Sequence, residues 1–234
     1  MKKRVLAILI LLIAFNINAQ QDPQYTQYMY NMNVINPAYA GSGDGASFGI
    51  LYRDQWEGLQ GAPKTATMNV HFPAGRNVGL GFSAISDEIG PVSETNLYVD
   101  FSYTLNFSND NRLAFGVKAG GTFHDVGLID LSLIDPNDPF FANDINENTP
   151  NVGAGIYFYK PNNYYISVSV PNILESVHLD NNDFNIGSET RHIFAAAGYV
   201  FDINENFKFK PHTFVKYASQ TPISLDLNAN LFMY

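Results

Sequence analysis

From residue 46 onward, apolar and polar side chains alternate one for one in segment after segment, the period of an extended strand rather than a helix. The longest case is SETNLYVDFSYTLNFS, residues 93–108, where Leu97, Val99, Phe101, Tyr103, Leu105 and Phe107 share one face. Asn96, Asp100, Ser102, Thr104 and Asn106 take the other. Phe48, Ile50 and Tyr52 alternate in the same way with Gly49, Leu51, Arg53 and Gln55, as do Ala66, Met68, Val70 and Phe72 with Thr65, Thr67, Asn69 and His71. Applied along the chain, this test predicts ten strands, at 46–56, 64–72, 77–85, 93–108, 112–124, 151–160, 164–170, 191–201, 207–217 and 223–234.

Alternation alone does not say what the oily face looks at, since a soluble sandwich and a membrane barrel share it. The connections separate the two. Those at 73–76, 108–111, 160–163 and 202–206 are short and rich in Pro, Gly, Asn and Asp. Those at 57–62, 87–92, 125–150, 171–190 and 218–222 fall on the opposite end and include both long ones. Short turns at one rim and longer loops at the other are the pattern of an up-and-down outer-membrane barrel. The expected fold is therefore all-β, an antiparallel up-and-down transmembrane β-barrel of about ten strands with its oily face toward lipid. Tyr52, Trp56, Phe72, Phe107, Tyr164 and Phe201, near strand ends, are placed to form interfacial girdles.

The first residues add the route. MKKRVLAILILLIAFNINAQ has a basic head, an apolar run from Val5 to Phe15 and a small residue, Ala19, at the exit, so 1–19 reads as a secretory signal peptide. No other stretch approaches the roughly 20 apolar residues of a membrane-spanning helix, so any span must be made by strands. The chain has no cysteine, which removes disulfides, thiolate nucleophiles and cysteine-anchored lipid. Without Lys2, Lys3 and Arg4, 10 basic residues face 22 acidic ones, and nucleic acid is not an expected partner.

Candidate chemistry is thin. His71, His124, His178, His192 and His212 form no zinc-type pair, and neither a G-x-S-x-G elbow nor a P-loop is present. The acidic stretches 135–148 and 202–206 have Asp-x-Asn-x-Asn spacing but lack the sixth-position glycine and twelfth-position glutamate of a calcium loop. No cofactor, metal or catalytic residue is expected. On the inner parity lie Arg53, Lys118, Lys208, Lys210 and Lys216, with Asp100 and Asp226 as candidate partners, a set suited to bracing a lumen through ion pairs. The 125–150 loop carries Asp125, Asp130, Asp135, Asp138, Asp144 and Glu147 with no Lys or Arg, and reads either as a docking surface for an exported partner or as a soluble rim.

Before the first strand, residues 21–42 do not alternate and carry Tyr25, Tyr28, Met29, Tyr30, Met32, Val34, Ile35 and Tyr39. Such an aromatic arm must pack against something, as a plug in the lumen or on a periplasmic partner. QDPQYTQYMYNMNVINPAYAG, followed by LYRDQWEGLQGAPKT, resembles the opening of the PorP/SprF family of Bacteroidota outer-membrane proteins, in its D-P-x-aromatic-x-Q-Y-M, N-P-A-aromatic-A-G and R-x-Q-W motifs. Asn36, Pro37, Arg53, Gln55, Trp56 and Pro63 are the signature positions. Arg53 and Gln55 fall on the lumen parity, suited to holding the arm, and Trp56 is suited to the membrane interface.

The resemblance implies a barrel of the type IX secretion system, linked to gliding motility in some members. Its expected partners are a large secreted adhesin with a type IX C-terminal domain, ring and lipoprotein components of the apparatus, and outer-membrane lipid. The expected division is signal peptide 1–19, arm 20–45 and barrel 46–234. Family members carry further strands beyond the point where this chain stops; ten is an even number compatible with closure, and an end at Tyr234 is equally compatible with truncation. Two alternatives to a secretion accessory stand beside it: a porin-like or lipid-transport barrel without a dedicated protein client, and a secreted soluble sandwich.

Overall fold

The computed structural model describes residues 31–128, 144–175, 177–181, 184–188, 191–219 and 221–234. A short helix α1 (Met32–Ile35) and one 3-10 turn (Pro37–Tyr39) precede β1 (Ser47–Asp54), β2 (Lys64–Pro73), β3 (Val78–Ile89), β4 (Val92–Asn106), β5 (Arg112–Val126), β6 (Ile145–Lys160) and β7 (Tyr164–Val170). Then come β8 (Val177–Asn181), β9 (Phe184–Ser188), β10 (His192–Tyr199), β11 (Phe201–Asn204), β12 (Phe207–Ala218) and β13 (Ser224–Met233).

All pairings are antiparallel. β1 to β7 follow one another in order, β10 continues beside β7, and β12 pairs with β10, β11 and β13. The result is one up-and-down sheet in which all ten predicted strands appear. The eighth, expected at 191–201, is divided: β10 and β11 both lie along β12 in one register, Gly198 opposite His212 and Phe201 opposite Phe209, with Val200 between them. β8 and β9 form a separate hairpin inside the 171–190 connection. The sheet does not close, since no pairing joins β1 to β13 among the described residues.

Two connections expected as loops are strand at their described ends. Residues 87–92 shrink to a turn at Gly90 and Pro91, Gly90 taking φ +57°, while Asp87 pairs with Glu94 and Glu88 with Ser93. On the far side of 125–150, β5 and β6 pair out to Val126 and Ile145. Apart from Ile89, Val92, Val126 and Ile145 at the strand tips, both stretches are polar, which reads as loop in sequence. A strand projecting beyond the lipid band has water on both sides and needs no oily face, so its ladder continues without the alternation.

Burial settles which way the faces point. In β4 Val99 is 58% exposed and Phe101 46%, while Asp100 and Ser102 between them are fully buried; in β5 Val117 is 57% exposed and Lys118 2%. Polar side chains inside and apolar ones outside invert the rule for a water-soluble domain and match a lipid-facing wall. Among the described residues no second sheet covers that apolar face, as a soluble sandwich would require. Tyr52, Trp56, Phe107 and Phe201 are all exposed near strand ends, and Phe72 is partly so. The Tyr164 hydroxyl donates to Asn111 Oδ1 at 2.7 Å, and its ring lies parallel to Tyr199.

Val99→Lys, in the middle of the outer face, is expected to destabilise the sheet in lipid by about 2–4 kcal/mol, against about 0–1 kcal/mol for Asn109→Lys in a rim turn. Urea unfolding in lipid vesicles, followed by the heat-dependent gel shift of folded barrels, measures both.

Candidate functional site

Residues 31–42 run through the interior of the sheet. The local sequence INPAYAG folds into two consecutive turns: Asn36 N donates to Met32 O, and Tyr39 N to Asn36 O. Asn36 caps the second turn, its Oδ1 accepting from Ala38 N at 2.9 Å, and Pro37 takes the first helical position, where a missing N–H costs nothing. Asn31 to Ala38 are all buried, though the stretch holds three asparagines. Each asparagine side chain is therefore paired with the wall.

Asn36 Nδ2 donates to Ile156 O at 3.0 Å and Ser167 Oγ at 2.7 Å, on β6 and β7. Asn69 Nδ2 on β2 donates to Asn31 Oδ1 at 2.9 Å, and Asn33 Nδ2 donates to Asp100 Oδ2 at 3.1 Å. Asp100 on β4 sits directly across from Lys118 on β5, whose Nζ lies 3.4 Å from Asp100 Oδ1 and donates to Val34 O at 2.7 Å. The same ammonium reaches Asn33 O at 3.4 Å and lies 5.1 Å from the Tyr98 ring centre. A lysine and an aspartate, each almost wholly removed from water, are thus joined to both the carbonyls and a side chain of the arm. Desolvating such a pair is costly, and it persists where further hydrogen bonds satisfy it. Here α1 supplies the Asn33 amide to the aspartate and the Asn33 and Val34 carbonyls to the ammonium.

Beyond the clamp, Ser102 Oγ donates to Ala40 O at 2.6 Å and Gly41 N donates to His71 Nδ1 at 3.3 Å. Tyr39 meets His71 and Tyr157 edge-on, at 5.2 and 5.3 Å between ring centres. Met32, Ile35 and Ala38 pack into a cluster with Ala114, Tyr157, Tyr159, Tyr165, Phe194, Ala196 and Phe214. Glycines give the arm its bed. A Cβ at Gly116 would overlap the backbone of Pro37 and Ala38, and one at Gly155 would overlap the Asn36 side chain. Further along, Tyr39 and Ser42 to Asp44 form one side of a cavity of about 810 Å³ near the short turns at 161–163 and 205–206.

The structure distributes the residues marked in sequence unevenly. Asn36 and Pro37 are central to the arm's contacts, and Lys118 with Asp100 makes the buried pair. Arg53 lies near the end of β1 opposite Thr65, in the electrostatic neighbourhood of Asp87, to which Thr65 donates a hydrogen bond. Gln55 N donates to Pro63 O at 3.0 Å, closing the base of the β1–β2 connection, in which Trp56 is exposed with φ +54°. Lys208 pairs with Asp202 at 3.1 Å, and Lys210 lies against the Tyr165 ring. Lys216 and Asp226 lie on facing strands, offset by two pairs: Lys216 stands opposite Ser224, and Asp226 opposite Phe214. Asp144 Oδ1 accepts from Leu128 N at 2.8 Å, and Glu147 and Asp125 belong to strands β6 and β5. Asp130, Asp135 and Asp138 lie outside the described residues.

Sequence reasoning missed Asn31, Asn33, Asn69, His71, Ser102 and Ser167. Their signal was present: asparagines in an otherwise apolar arm, and small polar residues at inner-parity positions of several strands.

An antiparallel sheet, apolar outside and polar inside, wrapped around its own N-terminal segment defines a β-barrel type of membrane protein with an internal arm. The family model for the type IX secretion system membrane protein PorP/SprF matches residues 17–234, and the chain belongs to that family. Neither a curated protein nor a solved structure matches it.

Removing one member of the clamp leaves the other charge buried alone, so Lys118→Ala is expected to cost about 3–5 kcal/mol, while Lys118→Met combined with Asp100→Asn recovers most of it. Gly116→Val is expected to displace the arm from an otherwise assembled sheet. Limited proteolysis reads both variants as new cleavage between residues 31 and 45.

Proposed function

We propose that this protein is a non-enzymatic outer-membrane accessory of type IX secretion that helps export or anchor one large surface adhesin, its interior shut by the arm rather than open as a pore. Family membership supports the secretion role. The single observation that carries the closed-interior reading is the clamp of Asn33, Lys118 and Asp100, which ties the arm to the wall where a porin would hold water. Residues 1–19 act as the export signal, and 46–234 form the membrane part. The partners on this reading are the adhesin's C-terminal domain and the ring and lipoprotein components of the apparatus. The acidic stretch from Asp125 to Glu147, including Asp130, Asp135, Asp138 and Asp144, is the proposed contact on the long-loop side. In gliding relatives the same role would serve motility.

Deleting the gene is expected to remove one or a few large surface proteins while the remaining secretome stays intact, measured by comparative mass spectrometry of released and surface-displayed proteins. An unchanged secretome, together with open conductance of the purified protein in planar bilayers, would replace this reading with a porin-like or lipid-transport barrel.

Arg53 and Gln55, at and just beyond the end of β1, are proposed to hold the aromatic arm. Arg53→Ala is expected to create protease sensitivity between residues 20 and 42 without loss of barrel assembly. Unchanged sensitivity removes Arg53 from that role.

A further inference from the structure

One place in the wall differs from the rest. Along β12 the pairing with β10 and β11 is interrupted where Tyr199 and Val200 face Lys210 and Pro211, although the register is the same on both sides. Pro211 has no N–H to give the ladder, and proline within a sheet marks a weak point. Two cavities meet across this interruption. Outside is a groove of about 660 Å³ whose lining includes Ile166, Ala197, Tyr199, Pro211 and Leu227. Inside is the cavity of about 810 Å³, reached by Tyr157, Tyr159, Val200 and Lys210. Tyr164 and Tyr165 border both.

The chemistry changes sign across the wall. The outer groove is apolar, shallow at Ala197 and Pro211, and lies on the face that meets lipid. Behind it stands Lys210, whose ammonium lies 5.3 Å from the Tyr165 ring centre and is paired with no described carboxylate. Lys208, two residues earlier on the same face, already has Asp202. A cation resting on a tyrosine, with no counter-ion among the described residues, beside a gap in the strand pairing and an acyl-sized apolar groove fits a ligand with a negative head and one long apolar tail. The groove also starts at the right depth. Tyr164 and Tyr199 lie stacked next to the short turn at 161–163, the level at which aromatic girdles meet headgroups, and Ile166 and Leu227 continue toward the hydrocarbon.

We propose that the stretch of wall between β7, β10, β12 and β13 is a lateral site for a long-chain carboxylic acid drawn from the adjoining leaflet. Its tail lies in the outer groove and its carboxylate reaches through the interrupted ladder to Lys210. The site is separate from the arm's clamp and requires only that the outer face be in lipid.

The test uses the full chain reconstituted in phosphatidylcholine bilayers, with folding checked by the heat-dependent gel shift. The probe is palmitic acid carrying a photoreactive diazirine near its methyl end, compared with the corresponding alcohol. Cross-linked peptides mapped by mass spectrometry are expected to concentrate around Ile166, Ala197 and Leu227, over the equally lipid-facing Val99 and Val117. Lys210→Met is expected to lower that labelling roughly tenfold, the order set by loss of one charge-assisted hydrogen bond, and the alcohol to behave as the acid does on that variant. Ala197→Phe, which fills the groove without touching the interior, is expected to abolish the preference for both probes. Lys216→Met, further along the same face of β12, leaves it unchanged. Labelling spread evenly around the lipid belt, equal labelling by acid and alcohol on the parent protein, or labelling indifferent to Lys210→Met each overturns the proposal.

Discussion

A charged pair sealed away from water is the constraint around which the interior is arranged. Lys118 and Asp100 face each other across neighbouring strands, and on a bare wall their unused donors and acceptors would call for water. The arm answers instead with Val34 O, Asn33 O and the Asn33 amide. Strand pairing, arm folding and charge burial therefore depend on one another. The arm's short helix gains little from its own few hydrogen bonds and is held by what it meets on the wall.

That dependence is asymmetric around the sheet. On β5 and β6, Gly116 and Gly155 let the backbone and the Asn36 side chain of the arm come into direct contact with the wall. Further along β6 and on β7, β10 and β12, Tyr157, Tyr159, Tyr165, Phe194 and Phe214 fill the space with rings. Toward the short turns the filling stops, and Tyr39 together with Ser42, Gly43 and Asp44 borders the open cavity. The interior is thus packed beside the glycines and hollow beside β12, where Pro211 also weakens the ladder.

The outer face imposes the opposite chemistry. Val99, Val117 and Ile166 stand exposed on strands whose other faces hold buried polar groups, an arrangement stable only with lipid around it. At the long-loop end the strands run past that belt with few apolar residues on the outer face, which is where the alternation fails while the hydrogen-bonded ladder continues.

The strands, their faces and the sorting of turns were legible in the sequence, because a two-residue period follows directly from the geometry of an extended backbone. The membership motifs were legible too, and Asn36 and Pro37 turned out to shape the arm as well as mark it. Hidden from the linear pattern were strand ends without an oily face, the division of the eighth strand at Val200, and the partners of the arm. Asn33 meets Asp100 across 67 positions and Asn36 meets Ser167 across 131. Alternation fixes only the face on which a residue lies. Which inner-face residue meets which part of the arm is set by strand register and by the path the arm takes across the sheet, and both exist only once the strands have assembled.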